Sequence, residues 1–302
     1  MKTTIQFITT VICSISIISC KSQAVGLVAD GAELNQISNK YSFTEGPASD
    51  KNGNVYFTDQ PNDKIIKWNE ADNTLSIFKE PAGRANGLYF DHNGNLLAAA
   101  DDKNELWRIN SNGIVDTLIT NFEGKKLNGP NDIWVDLQGG IYFTDPYYQR
   151  PYWERTTAEI EEKNVYYISP DLKKITVAAT DLVQPNGIIG TPDGKTLYVA
   201  DIGDQKTYSY TIQNNGTLTN RTLFTDMGSD GMTIDNKGNI YLTGEGVTIF
   251  NPKGEKIHHI PINEEWTANV TFGGKNQNIL FITAKGSVYT LKMNVHGVRY
   301  ND

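Results

Sequence analysis

With 35 acidic against 27 basic side chains in 302 residues, the chain carries a formal charge of −8. No basic stripe stands ready to neutralise phosphates, which excludes nucleic acid as a partner. Its two cysteines, Cys13 and Cys20, both fall in the first twenty residues and leave no disulfide framework for the body of the protein.

Residues 1–19 read as a signal peptide. Lys2 supplies a positive start, and "IQFITTVICSISIIS" follows as an apolar and hydroxyl-rich core. It is too short and too polar for a comfortable membrane span. It ends in "IISC", which resembles a bacterial lipobox. The expectation is cleavage before Cys20 and a lipid on its sulfur. The protein would then sit on the cell envelope, facing the periplasm or the cell surface, with membrane contact through that lipid alone. The plain alternative is an ordinary secretory signal followed by an incidental cysteine. Residues 20–30 read as a tether and residues 31–302 as a single domain.

Beyond the tether the sequence repeats itself. A polar residue heads a short apolar run, an Asp- and Gly-rich turn follows, and a second apolar run ends the unit. The repeats are "EGPASDKNGNVYFTD" from Glu45, "NGLYFDHNGNLLAAAD" from Asn86, "NDIWVDLQGGIYFTD" from Asn131, "NGIIGTPDGKTLYVAD" from Asn186, "DGMTIDNKGNIYLTGE" from Asp230 and "NVTFGGKNQNILFITA" from Asn269. Their heads are spaced 41, 45, 55, 44 and 39 residues apart. Strand-rich periods of this size predict the blades of an all-β, six-bladed propeller. A third strand follows each unit, from "KIIKWN" to "SVYTLKM", and fourth strands such as "LSIFKE" and "VDTLIT" are weaker. The last repeat runs out near Met293, and "AELNQIS", residues 32–38, is placed to pair there and close the ring. The one helix-like stretch is "WERTTAEIEEKN", residues 153–164, inside the longest repeat.

The heads are Glu45, Asn86, Asn131, Asn186, Asp230 and Asn269, each a carboxylate or an amide. The first strand of a propeller blade lines the central channel, so equivalent heads converge on the axis at one height. Local capping of a strand start explains any one Asn or Asp. It does not explain Glu45, nor six repetitions. Six inward oxygens make a cage for a hard cation. None of His92, His258, His259 and His296 occupies a head, so the ligand set is oxygen alone. Such a set suits calcium best, with magnesium, manganese and zinc as alternatives.

"TEGPASDKNGNVYFTD", "PNDIWVDLQGGIYFTDP", "QPNGIIGTPDGKTLYVAD", "SDGMTIDNKGNIYLT" and "ANVTFGGKNQNILFITA" resemble, in order, the gluconolactonase, senescence-marker-protein and luciferin-regenerating-enzyme family. The likeness runs over roughly residues 42–293 and is nearest to bacterial gluconolactonase-like lipoproteins. It implies a six-bladed propeller with a divalent metal in the channel, held by Glu45 of "TEGP", Asn131 of "GPND", Asn186 of "QPNG" and Asp230 of "SDGM". The Arg that animal members place two residues before the Asn of "ND" is Gly129 here, a departure that bears on sugar-acid specificity.

The reaction implied is hydrolysis of a small-molecule lactone, such as gluconolactone. Asp230 is the candidate general base, with direct nucleophile or pure metal ligand as its other roles. Asn86 and Asn269 complete the ring as candidate substrate contacts. The loop after each "TD" opens at the site face, and the longest, residues 146–162, carries Tyr147, Tyr148, Arg150 and Trp153. These four could form a lid or a substrate wall, with Tyr147 and Trp153 as candidate substrate contacts; a helical decoration packed on the rim is the other reading. Two further functions stay open: a non-catalytic binding propeller on the envelope, and a phosphotriesterase-like hydrolase on the same scaffold.

Overall fold

The computed structural model describes residues 26–298. Within them each repeat becomes a four-stranded antiparallel sheet, and six such sheets form a ring. Blade 1 is Thr44–Ser49, Val55–Asp59, Lys64–Asn69 and Thr74–Lys79. Blade 2 is Ala85–Phe90, Leu96–Ala100, Glu105–Ile109 and Val115–Ile119. Blade 3 is Ile133–Val135, Ile141–Asp145, Lys163–Ile168 and Ile175–Leu182. Blade 4 is Pro185–Gly190, Thr196–Asp201, Lys206–Ile212 and Leu218–Thr225. Blade 5 is Met232–Ile234, Ile240–Gly244, Gly246–Phe250 and Lys256–Ile260. Blade 6 takes Thr267–Gly273, Ile279–Ala284 and Ser287–Lys292 from one end of the domain and Asn35–Ser38 from the other. Asn35 pairs with Thr290 and Gln36 with Tyr289, so the predicted closure by residues 32–38 holds.

The pattern of burial follows from the stacking. The second strands, such as Val55–Asp59 and Ile141–Asp145, are buried along their whole length because a neighbouring blade covers each face. That is why they read as continuous apolar runs rather than as alternation. The outermost strands meet water, and Lys256–Ile260 is exposed except at Ile260. The turns are fixed by aspartates. Asp50, Asp91, Asp136 and Asp235 each accept the N–H groups two and four residues on, while the glycines at 53, 94, 139 and 238 take the positive φ that the turn needs.

Threonines join the blades at the site end of the channel. Thr58 Oγ1 donates to the Asn86 carbonyl (3.0 Å), Thr144 to that of Asn186 (2.8 Å) and Thr243 to that of Ala268 (2.8 Å). Thr144 Oγ1 also accepts from the Asp132 N–H (3.1 Å). Thr144→Val keeps the shape and deletes both bonds inside a buried site. The expected loss is about 1–3 kcal/mol in urea unfolding, read as a lower midpoint at an unchanged slope.

Two expectations need correction. Residues 26–30 are not a free tether. Val28 bridges to Met293, the Ala29 N–H donates to the Lys292 carbonyl (3.0 Å), and Leu27 and Val28 pack on the core shared by blades 5 and 6. Residues 153–164 form no helix; they run as turns and bends until Lys163 starts a strand. The signal peptide and Cys20 lie outside the described residues. Among the described residues no helix is long and apolar enough to cross a membrane.

Candidate functional site

All six heads meet at one end of the channel, and each touches the next blade's head or the main chain beside it. The Gly87 N–H donates to the Asn131 carbonyl (2.7 Å), joining blades 2 and 3. Thr144 ties blade 3 to Asn186. Asn186 Nδ2 donates to Asp230 Oδ1 (2.8 Å), and Asn269 Nδ2 donates to Glu45 Oε2 (3.0 Å), closing blade 6 on blade 1. Glycine follows four of the heads because the inner strands approach so closely there. A Cβ on Gly46 would lie 2.1 Å from the Asn86 carbonyl oxygen, and one on Gly231 would lie 1.9 Å from Asn269 Cγ.

Two carboxylates share this ring. Glu45 is 3 % exposed, and burial, then the neighbouring charge of Asp230, holds its carboxyl well above the usual range. The Gly46 N–H (2.6 Å) and Asn269 oppose that shift. Burial also raises Asp230, against the Trp266 and Asn186 donors and the charge of Arg150. Trp266 Nε1 donates to Asp230 Oδ2 at 2.6 Å, so each oxygen of Asp230 has one donor. Below the ring Asp132 accepts the Ile133 N–H (3.0 Å), and burial pushes it to about 7.

The donor chemistry of the ring fits a hard cation. Among the described residues no group of three or more His, Cys, Asp or Glu is arranged to hold a metal. The ring has two carboxylates, and its other oxygens are amides. Asn86 Oδ1 is buried with no partner, and Asn186 Nδ2 is committed to Tyr148 Oη (2.9 Å) and Asp230, which leaves its Oδ1 for another ligand. Buried carboxylates with raised proton affinity, beside an orphaned amide oxygen, are stabilised by a bound cation. Glu45, Asn131, Asn186 and Asp230, with Asn86, are the residues able to hold it. Asn269 has both ends of its amide engaged, at Glu45 and at the Val270 N–H (2.8 Å), and so orients Glu45.

Of the loop's aromatics it is Tyr148, not Tyr147 or Trp153, that reaches the ring. Trp153 turns inward: it is buried, and Nε1 donates to the Asp101 carbonyl (2.7 Å) beneath the Arg155 guanidinium. Tyr147 lies against Trp153 and donates to Gln149. Neither bonds to a head residue among the described residues. A large indole with one donor is best served by a buried acceptor, which explains the inversion. Tyr148 is the residue that touches the ring, through Asn186. Trp266, three residues before the head Asn269, was not singled out in the sequence; its place in the segment leading to an inner strand is the only signal there. A cavity of about 490 Å³ occupies the far end of the channel, where the inner strands finish, and meets the ring from behind at Asp132 and Asn269.

Fold and site together define a six-bladed propeller whose central channel carries, at one end, a ring of carboxylate and amide oxygens. The chain belongs to the SMP-30/gluconolactonase/LRE-like family, whose characteristic region matches residues 43–286. It is 31 % identical over 297 residues to the gluconolactonase of Zymomonas mobilis, covering 87 % of this chain and 82 % of that one. A solved gluconolactonase from Xanthomonas campestris superposes with a TM-score of 0.84 at 26 % identity, covering 90 % of this chain and 93 % of that one. The diisopropyl-fluorophosphatase of Loligo vulgaris is 26 % identical over 238 residues, covering 70 % of this chain and 75 % of that one.

Proposed function

We propose that this protein is a divalent-cation-dependent hydrolase that opens a lactone, with calcium as its ion and a sugar-acid lactone such as gluconolactone as its substrate class. The observation that carries the reading is the ring itself: Glu45 and Asp230 raised by burial beside the unpartnered Asn86 oxygen. The gluconolactonase relatives from Zymomonas and Xanthomonas point the same way.

When bound, the cation would supply Lewis acidity toward the lactone carbonyl and steady the charge on its oxygen. The chain's own residues do the rest. Asp230 takes a proton from the attacking water, a task its raised proton affinity favours near neutral pH. Trp266 and Asn186 hold that carboxylate in one rotamer. Asn269 and the Gly46 N–H do the same for Glu45. The relative from Loligo favours a second reading, cleavage of a phosphorus ester by the same carboxylate.

The test is a panel of aldonolactones, acyl lactones and an organophosphate, each with EDTA and then with added calcium. Chelation is expected to cut lactone opening by about a hundredfold or more, and calcium to restore it. Turnover untouched by EDTA removes the cation from the reaction. Turnover of the organophosphate alone favours the second reading. No turnover of any member in added calcium leaves a binding propeller.

A further inference from the structure

The aspartate that ends a second strand has a constant task in three blades. Asp59 accepts the N–H groups of Ser42 and Phe43 (3.1 and 3.2 Å). Asp145 accepts those of Asn128 and Gly129 (2.8 and 2.7 Å), and Asp201 those of Val183 and Gln184 (both 2.7 Å). Each staples the segment leading into its own blade.

In blade 2 that position is Ala100, which pairs with Ala85 and Glu105 as Asp201 pairs with Pro185 and Lys206, and Asp101, one residue on, does something else. There the lead-in segment is held by Asp63, whose Oδ1 accepts the Ala82 and Arg84 N–H groups (2.9 and 2.6 Å). The Asp101 carboxylate takes no part in that staple and is only 2 % exposed. Its Oδ2 gathers three side-chain donors from other blades: Gln60 Nε2 (3.1 Å), Arg150 Nε (2.7 Å) and Tyr152 Oη (2.7 Å). Two of the three come from the 146–162 loop of blade 3, as does the Trp153 indole on the Asp101 carbonyl.

That loop bears on the ring at two points. Tyr148 Oη accepts from Asn186 Nδ2, and the charge of Arg150 reaches Asp230. The Arg150 guanidinium lies 5.5 Å from the centre of the Tyr148 ring. Only its Nε is committed among the described residues, so its terminal N–H groups remain as donors on a side chain 23 % exposed. A guanidinium fixed through Nε is pre-oriented, and its free edge suits the oxygens of a hydroxylated ring.

We propose that Asp101 is a positioning residue: from blade 2 it fixes Arg150, so that Arg150 and Tyr148 form a polar edge gripping a polyhydroxylated lactone beside the head ring. The lactone half of this rests on the function proposed above; the clamp does not.

The test compares Asp101→Asn, Arg150→Met and the double variant on glucono-δ-lactone and on unhydroxylated δ-valerolactone. Asp101→Asn is expected to lower kcat/KM for gluconolactone about tenfold more than for δ-valerolactone, mainly through KM. In the Arg150→Met background the same change is expected to add less than about twofold, because both act on one contact. Equal losses on the two lactones, or full additivity, overturn the positioning role and leave Asp101 structural. Trypsin cleavage after Arg155 reads the clamp without any substrate. It is expected to accelerate about tenfold in Asp101→Asn, as local opening becomes easier, and no further in the double variant. Unchanged cleavage overturns the clamp. If the wild-type chain opens neither lactone, the gripping role falls with the lactonase reading, and the cleavage rates still decide the clamp.

Discussion

Asp230→Asn is expected to lose about 10²–10⁴ in kcat/KM on an opened lactone while the protein stays folded, the range for removal of a general base. The substitution preserves shape and one amide oxygen, so it separates proton transfer from ligation better than alanine would. Each Asp230 oxygen now accepts one donor, Trp266 Nε1 on Oδ2 and Asn186 Nδ2 on Oδ1. An amide offers only one oxygen, so one of those donors would face an N–H group and lose its bond. Some stability falls with it, of the order of 1–3 kcal/mol. Calcium titration calorimetry on both proteins completes the measurement. A base gives lost turnover with calcium affinity largely kept, whereas a pure ligand loses the two together. Turnover equal to wild type takes Asp230 out of the chemistry altogether. Glu45→Gln is the useful comparison. Its Oε2 is already occupied by Gly46 and Asn269, so that variant is expected to weaken calcium binding first and turnover in consequence.

What was legible in the sequence was whatever repeats. The heads recur once per blade, and the strands, the turn aspartates and the ring closure by residues 32–38 recur or complete a pattern with them. Asn131 emerged from that register even though Ile133–Val135 begins two residues after it. What was hidden is whatever departs from the repeat by a contact between blades. Asp101 lies one residue past the place of Asp145 and Asp201, which Ala100 fills in blade 2, and there Asp63, in a neighbouring blade, makes the staple. Residues 153–164 have helix-forming composition, with Glu and Ala but no apolar stripe for a helix to bury. Their conformation is instead set by Trp153, Tyr152 and Arg155 reaching acceptors on blades 2 and 3. The inversion of Trp153 and Tyr148 is likewise invisible to periodicity, because adjacent aromatics in an irregular loop carry no facing rule. Residues 26–30 read as a tether for want of pattern, yet their main chain bonds to Lys292 and Asn294.

Gly231→Ala is expected to damage site and fold together, although it adds a single methyl group to the chain. Gly231 has no positive φ, so the cost is not backbone strain; it is the space that Asn269 occupies. The added Cβ would lie 1.9 Å from Asn269 Cγ and 2.0 Å from its Oδ1, well inside any tolerable contact. Asn269 is the least able of the neighbours to give way. Its Oδ1 is held by the Val270 N–H and its Nδ2 by Glu45, and its own N–H donates to Thr283 Oγ1 (3.0 Å). Relief therefore means turning the amide away and releasing Glu45, or moving blade 5 from blade 6. Overpacking of this kind costs about 1–3 kcal/mol, and the loss of Asn269's bond to a buried carboxylate adds to it. The expected result is a lower urea midpoint together with weaker calcium binding. Gly94→Ala is the control. Gly94 has a φ of +78° and nothing within 4 Å of its added Cβ, so it carries the backbone penalty without the clash and lies far from the heads. It is expected to lose about 1 kcal/mol of stability and to leave calcium affinity where it was. If Gly231→Ala and Gly94→Ala show the same loss of stability and the same calcium affinity, the close approach at the head ring does not hold Glu45 in place, and the packing account of the site fails.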